Sequence, residues 1–204
     1  MKPTNRYKTK LHIPSPRPSM LGMHEDLLKI DAIVSEGTSW PLSTVEKCII
    51  VSEDHRFFKH IGVDWIGLLR ETLRFLQRKR VRGASTIEMQ LIRTVSHRYE
   101  RSIRRKIREI FLSICLQFRY SKLEILRAYL NIAFFGTNLI GLKKSSREVF
   151  NKIPEALTLN ESLETAAMLI FPKPSVENQK WRVKISERTR QIDLLYGIHE
   201  KKLK

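Results

Sequence analysis

The chain has 204 residues, the length of one domain, and its 42% hydrophobic content is enough to fill a core, which excludes a largely disordered protein. Lys and Arg number 38 against 21 Asp and Glu, and this net charge of +17 points to a polyanionic partner: nucleic acid, an acidic membrane face or a phosphate-bearing substrate. Cys48 and Cys115 are too few for a disulfide scaffold and lack metal-ligand spacing, so each reads as a small buried hydrophobe.

The N-terminal stretch MKPTNRYKTKLHIPSPRPSM is basic, and Pro3, Pro14, Pro16 and Pro18 forbid a regular helix in it. Residues 1–22 are expected to be a flexible cationic arm, either an inert tail or one that touches a membrane, ahead of a domain at 23–204. No apolar h-region of an export signal follows, and no run of about 18 apolar residues encodes a spanning helix. From Leu42 the pattern is helical. LSTVEKCIIVSEDHRFF places Val45, Cys48, Ile49 and Phe57 at helical steps, and Ser43 with Glu46 is a capping-box signature. VDWIGLLRETLRFLQRKRVRG ends in Arg78, Lys79, Arg80 and Arg82 and breaks at Gly83. ASTIEMQLIRTV starts a new helix, with Ser85 and Glu88 as a second capping box. RRKIREIFLSICLQFRY is a long helix with a basic beginning, and SKLEILRAYLNIAFFG is another, stopped at Gly136. Residues 161–171 form a short apolar helix ending before Pro172, and the C-terminal stretch reads as a polar helix. No run alternates with period two and no repeat is present, so the fold class is mainly α in a single domain.

Four of these stretches hold groups able to do chemistry. In EDHRFFKHIG a continuing helix puts Glu53, Phe57 and His60 on one face. Aromatic bulk and the neighbouring charge of Asp54 would both raise the carboxyl pKa of Glu53 toward general acid or base work; solvated acids at a helix end are the plainer reading. In GASTIEMQLIR a glycine precedes a helix start whose free N–H groups, with the Ser85 and Thr86 hydroxyls, suit an anion, while Gln90 and Arg93 follow one turn apart. The absence of Gly-Lys-Ser/Thr excludes a P-loop. In RSIRRKIRE, Arg101, Arg105 and Glu109 recur at four-residue steps beside Lys106. This is either a solvated basic face with an Arg105–Glu109 surface pair or a site for a multiply charged phosphate; a cationic helix start opposes the helix dipole and favours the second. In KLEILRAYLNIAFFG, Leu126, Tyr129, Leu130 and Phe134 read as core and Asn131 as a satisfied buried amide.

Taken in order, these stretches resemble the peptidoglycan glycosyltransferase family, the lipid II polymerases. Its first motif, Glu-Asp-x-x-Phe-x-x-His-x-Gly, is met by Glu53, Asp54, Phe57, His60 and Gly62. Its second, Gly-x-Ser-Thr-Ile-x-x-Gln-x-x-Lys, is met by Gly83, Ser85, Thr86, Ile87 and Gln90, with Arg93 in place of lysine. Its third, Arg-Lys-x-x-Glu, is met by Arg105, Lys106 and Glu109, and its fourth, Lys-x-x-Ile-Leu-x-x-Tyr-Leu-Asn, by Lys122, Ile125, Leu126, Tyr129, Leu130 and Asn131. Gly141, Phe150, Lys152, Ala166, Ala167 and Pro172-Lys173-Pro174 look like the family's closing segment, so the resemblance covers about 42–176.

The resemblance implies a lysozyme-like helical domain. It implies that Glu53 is the general base that activates the 4-hydroxyl of the lipid II acceptor against the anomeric carbon of the growing chain, with inversion and loss of a lipid pyrophosphate. Ser85, Thr86, Gln90, Arg93, Arg101, Arg105 and Lys106 match positions around the substrate, as do Asp54, Phe57, His60 and Asn131. Glu109 matches a second essential carboxylate that organises the cations or holds a divalent metal, Mg or Mn; no organic cofactor is implied. The stretch from Trp65 to Arg82 takes the place of the family's membrane-contacting segment, with an ordinary core helix as the alternative. The expected partners are lipid II, the glycan chain, an anionic membrane surface and other cell-wall synthesis proteins. The expected location is peripheral, on the outer face of the inner membrane. A pyrophosphate is already a good leaving group, so one carboxylate and a bank of cations suit transfer better than hydrolysis. No nucleic-acid motif accompanies the charge, so no specific nucleic acid is expected. Thr94, Ser145, Ser146 and Asn151 depart from the family pattern as Arg93 does; a catalytically impaired relative that binds lipid-linked precursors as a scaffold or regulator is the alternative reading.

Overall fold

The computed structural model describes residues 20–34, 41–78 and 85–200. Most of the expected cationic arm, and Lys79, Arg80, Arg82 and Gly83, lie outside them. The described residues form nine α-helices and one small hairpin. The first helix, α1 (Met20–Asp31), has no counterpart in the sequence reading and starts within the stretch expected to be arm.

Helix α2 (Thr44–Asp54) opens on the expected capping box: Glu46 Oε2 accepts from the Ser43 backbone N–H at 2.8 Å, and Ser43 Oγ accepts from Glu46 N at 3.4 Å. Such a cap stabilises a helix by about 1 kcal/mol. Cys48, Ile49 and Ile50 are fully buried. The helix then ends at Asp54, and a single turn of tighter helix follows at Phe57–Lys59. Glu53, Phe57 and His60 therefore do not share one helical face, contrary to the periodicity.

Helix α3 (Trp65–Leu76) presents its apolar side outward, from Leu73 (49% exposed) to Leu76 (70%), while Glu71 is buried. It is not a core-packing helix. Helices α4 (Ile87–Ser96), α5 (Ile103–Arg119) and α6 (Lys122–Ile132) pack through Ile87, Leu91, Ile92, Leu112, Leu116 and Leu126. Helix α6 stops four residues before Gly136, and Phe134–Gly136 (β1) pairs antiparallel with Leu139–Ile140 (β2). Strands this short show no period-two pattern; the signal was Asn138, which takes a positive φ in the turn.

Helix α7 (Leu142–Phe150) carries two of the departures from the family pattern and is capped by a third, and each is accommodated locally. Ser145 and Ser146 are buried, but their hydroxyls donate to the carbonyls of Gly141 and Leu142 one turn back. Asn151 ends the helix at φ +55°, a conformation asparagine tolerates nearly as well as glycine. Helix α8 (Leu159–Met168) buries Ala166 and Ala167 between α2 and α9 (Gln179–His199).

Gly62 sets the approach of the first motif to α5. Its φ is +73°, and a Cβ there would lie 2.3 Å from the Ser113 carbonyl oxygen. Gly62→Ala adds left-handed strain to a clash with helical backbone, so it is expected to cost roughly 3 kcal/mol, lowering the melting temperature by roughly 6–12 °C in a calorimetric scan. An unchanged scan would show that α5 does not press on this turn.

Candidate active site

Two carboxylates, Glu53 and Glu109, are each hydrogen-bonded to a side chain of α4. Glu53 sits one residue before the end of α2. Its Oε1 accepts from Ser52 Oγ at 3.1 Å and its Oε2 from Gln90 Nε2 at 3.3 Å. Gln90 Oε1 in turn accepts from the Tyr129 hydroxyl at 2.7 Å, so α2, α4 and α6 all meet at this carboxyl. Burial raises the Glu53 pKa above the ordinary glutamate value and the charge of Asp54 adds to this; Ser52, Arg188 and Gln90 oppose it. The same burial, with the Glu53 charge, pushes the Tyr129 phenol upward, so that hydroxyl stays a donor.

One turn along α4 from Gln90, Arg93 grips Glu109 of α5 with two parallel bonds, Nε to Oε1 at 2.8 Å and Nη2 to Oε2 at 3.0 Å. Arg105 Nη1 donates to the same Oε1, and Lys106 Nζ stands 3.9 Å from Oε2. Ser85 Oγ accepts from Arg93 Nη2 at 3.1 Å and Lys106 Nζ at 3.3 Å. Glu109 is 1% exposed, so the Arg105–Glu109 pair is no surface bridge. Three cations converge on one buried anion and leave a local surplus of positive charge. Burial lowers the Lys106 pKa, and Arg93 and Arg105 lower it further against the pull of Glu109.

Asp54, the residue after Glu53 along α2, belongs to a buried knot. His60 Nε2 is 2.9 Å from Asp54 Oδ2, which also accepts from the Ile87 N–H. Lys122 Nζ donates to Glu88 Oε1 at 2.5 Å, lies 3.5 Å from His60 Nδ1 and stands over the Phe57 ring. Asp54, His60 and Glu88 are of metal-ligand type and close together, but the Lys122 ammonium already supplies the positive charge among them.

This geometry revises several expectations. The buried side chains of Asp54, Phe57 and His60 make their contacts with one another and with Lys122. Thr86, not Ser85, caps α4: its Oγ1 accepts from Met89 N and donates to the Gly62 carbonyl. The Ser85–Glu88 capping box does not form, because Lys122 holds Glu88 and the Arg93–Lys106 pair holds Ser85. Arg101 is exposed and precedes Ser102, the N-cap of α5, so it is not on the helical face of Arg105 and Glu109. Asn131 is exposed, not buried; it borders a groove of about 450 Å³ with Glu46, Arg127, Leu142, Lys143 and Arg147, none of which belongs to the Glu53 or Glu109 groups. Sequence reasoning read Glu88 only as a helix cap and missed its ion pair with Lys122, and it missed Arg188 of α9, which carried no signal.

Comparison with known proteins agrees with the family resemblance. The family model described as Transglycosylase matches residues 37–194. Similar proteins include penicillin-binding protein 1A of Rickettsia felis (37% identity over 134 residues, 64% of this chain and 17% of that protein). Others are penicillin-binding protein 4 of Bacillus subtilis (37% over 118 residues, 57% and 19%) and penicillin-binding protein 1A of Clostridium botulinum (38% over 122 residues, 57% and 15%). The chain thus matches less than a fifth of the length of these relatives. With the family model covering most of its residues, the chain belongs to the transglycosylase family.

Proposed function

We propose that the protein is an inverting peptidoglycan glycosyltransferase that polymerises lipid II into β-1,4-linked strands and releases polyprenyl pyrophosphate. The observation that carries this reading is α4, which holds a carboxylate of raised pKa through Gln90 and a cation cluster through Arg93, one turn apart. Glu53 takes the proton of the acceptor sugar's 4-hydroxyl. That oxygen forms the new bond to the anomeric carbon of the donor chain, and the bond from that carbon to the pyrophosphate breaks, the electron pair leaving with the phosphate. Arg93, Arg105 and Lys106 lower the cost of the charge that develops there. Glu109 keeps those cations together without substrate; the departing anion then meets a preformed positive field.

The divalent cation expected from the resemblance does not fit Glu109 as the protein builds it. Both oxygens already accept from guanidinium groups, and a dication would face three positive charges. A cation in the reaction is therefore proposed to arrive as a counter-ion of the pyrophosphate, and no step here depends on it.

The outward apolar side of α3 (Trp65, Ile66, Leu69, Leu73, Leu76) and that of α5 (Ile103, Ile107, Phe111, Phe118) support a peripheral seat on an anionic membrane surface. No helix among the described residues is long and apolar enough to cross a membrane. Within this proposal the site faces the outer side of the inner membrane, where lipid II and other cell-wall synthesis proteins would meet it. Leu69→Ser with Leu73→Ser is expected to weaken co-sedimentation with anionic vesicles by on the order of tenfold or more while leaving the melting temperature unchanged, because both side chains are already in water. Equal binding by the variant would remove α3 from the membrane contact.

Purified protein given lipid II in detergent is expected to make glycan strands resolvable on a gel. Binding of lipid II without turnover, across detergents and with added magnesium or manganese, would replace the enzyme by the scaffold reading.

A further inference from the structure

Arg188 lies on α9, outside all four motifs, yet its guanidinium reaches the C-terminal end of α2. Nη2 donates to the Ser52 carbonyl oxygen at 3.2 Å and to Ser52 Oγ at 3.0 Å. Ser52 Oγ donates in turn to Glu53 Oε1 at 3.1 Å. A hydroxyl has one proton. When it accepts from a guanidinium, which cannot act as acceptor, that proton is free to point at the carboxylate. The three groups therefore form a directed chain from cation to hydroxyl to anion.

The charge has a use at this place. Arg188 is half-buried, and its Nε is enclosed without an acceptor. A guanidinium held so incompletely satisfied costs stability unless a nearby anion compensates it. That anion is Glu53: burial lowers the Arg188 pKa and the Glu53 charge restores part of it, while Arg188 lowers the pKa that burial raises in Glu53. The other groups facing Glu53 are Asp54 on its own helix, Gln90 from α4 and Tyr129 from α6. Arg188 is the cation among them.

We propose that Arg188 is a positioning residue for Glu53: it aims the Ser52 hydroxyl at the carboxylate and supplies the positive charge that holds Glu53 as an anion ready to accept a proton. The rival role is structural, a cation at the end of α2 that ties α9 to it. The inference rests on Glu53 being the general base, and its test separates the two.

The Glu53 side-chain carboxyl is titrated by carbon-13 NMR in the native protein, Arg188→Gln, Arg188→Lys and Ser52→Ala, and polymerisation is followed against pH in the same set. In Arg188→Gln the carboxyl is expected to titrate at higher pH than in the native protein. The acid limb of the activity profile moves the same way, with a loss of roughly tenfold on the acid side of the native profile that shrinks as pH rises. Arg188→Lys keeps the native limb, and Ser52→Ala lowers kcat with KM unchanged. A Glu53 titration identical in native and Arg188→Gln, or an equal loss at every pH, overturns the proposal. Should the glutamine variant not fold, a shifted acid limb in Arg188→Lys, or native kcat in Ser52→Ala, overturns it instead. If Glu53→Gln polymerises like the native protein, the general-base reading fails on its own, and the NMR titration still decides whether Arg188 governs the carboxyl.

Discussion

Glu53→Gln is expected to lower lipid II polymerisation by about 100- to 10,000-fold, the contribution of a general base, and to stabilise the folded protein at neutral pH. The two effects have one cause. Glutamine has the size of glutamate and can keep both contacts, its oxygen toward Gln90 and its amide toward Ser52 Oγ, but it cannot take a proton. In the folded protein the Glu53 carboxyl is half-buried, held by Ser52 and Gln90, and its pKa stands above that of an unfolded glutamate. A raised carboxyl pKa favours folding below the unfolded pKa. That advantage is lost as pH rises through the folded pKa, because the fold must then enclose a charge that water would solvate. Thermal melts at about pH 8 should show the variant above the native protein, and melts at about pH 4 should show them level. Full activity in the variant would remove Glu53 from the chemistry. A lower melting temperature at the higher pH would mean that Ser52, Gln90 and Arg188 hold the carboxylate at a profit in stability, contrary to the direction of its pKa.

The motifs singled out Glu53, Gln90, Arg93 and Glu109 without saying which of them pair. Glu53 and Gln90 are 37 positions apart, and Arg93 and Glu109 16, yet each pair is hydrogen-bonded. The local signals that held are those set by neighbouring backbone, such as the Ser43–Glu46 box. The failures came where tertiary contacts competed with local ones. Glu88 could have turned back to cap its own helix, but Lys122, 34 residues on, offers it an ion pair in a dry site. Periodicity carried the first helix through His60, whereas the chain turns after Asp54 and buries Phe57 under Lys122. Asn131 looked like a buried amide because its neighbours are apolar, but they point inward and it points to water. Arg188 was illegible: α9 is polar for most of its length, and only its packing against α2 gives one of its arginines a role. The apolar side of α3 shows the same limit in reverse, since an amphipathic pattern states that one face avoids water without saying whether protein or lipid covers it.

Glu109→Gln is expected to damage both the fold and the reaction. Its oxygens accept from Arg93 twice and from Arg105 once, with Lys106 close by. Glutamine replaces one acceptor with an N–H₂ aimed at other donors and deletes the charge that offsets three cations. Breaking a fully buried pair costs about 3–5 kcal/mol. Here the Arg93, Arg105 and Lys106 side chains keep 25%, 13% and 26% of their exposure, so water recovers part of that loss. A destabilisation of roughly 2–3 kcal/mol follows, a fall of roughly 4–12 °C in melting temperature for a protein of this size. Polymerisation should fall by about 100- to 1,000-fold, since the cations no longer meet the leaving group in a fixed array. Arg93→Lys keeps the charge and loses the two-pronged grip, so its effect on stability should be smaller. Added inorganic pyrophosphate separates a phosphate site from a structural ion cluster. It should raise the melting temperature of Glu109→Gln more than that of the native protein, because in the variant the anion replaces the missing carboxylate among Arg93, Arg105 and Lys106. A Glu109→Gln protein that melts and polymerises like the native one would show that these cations need no internal anion. Equal indifference of both proteins to pyrophosphate would show that they do not form the leaving-group site.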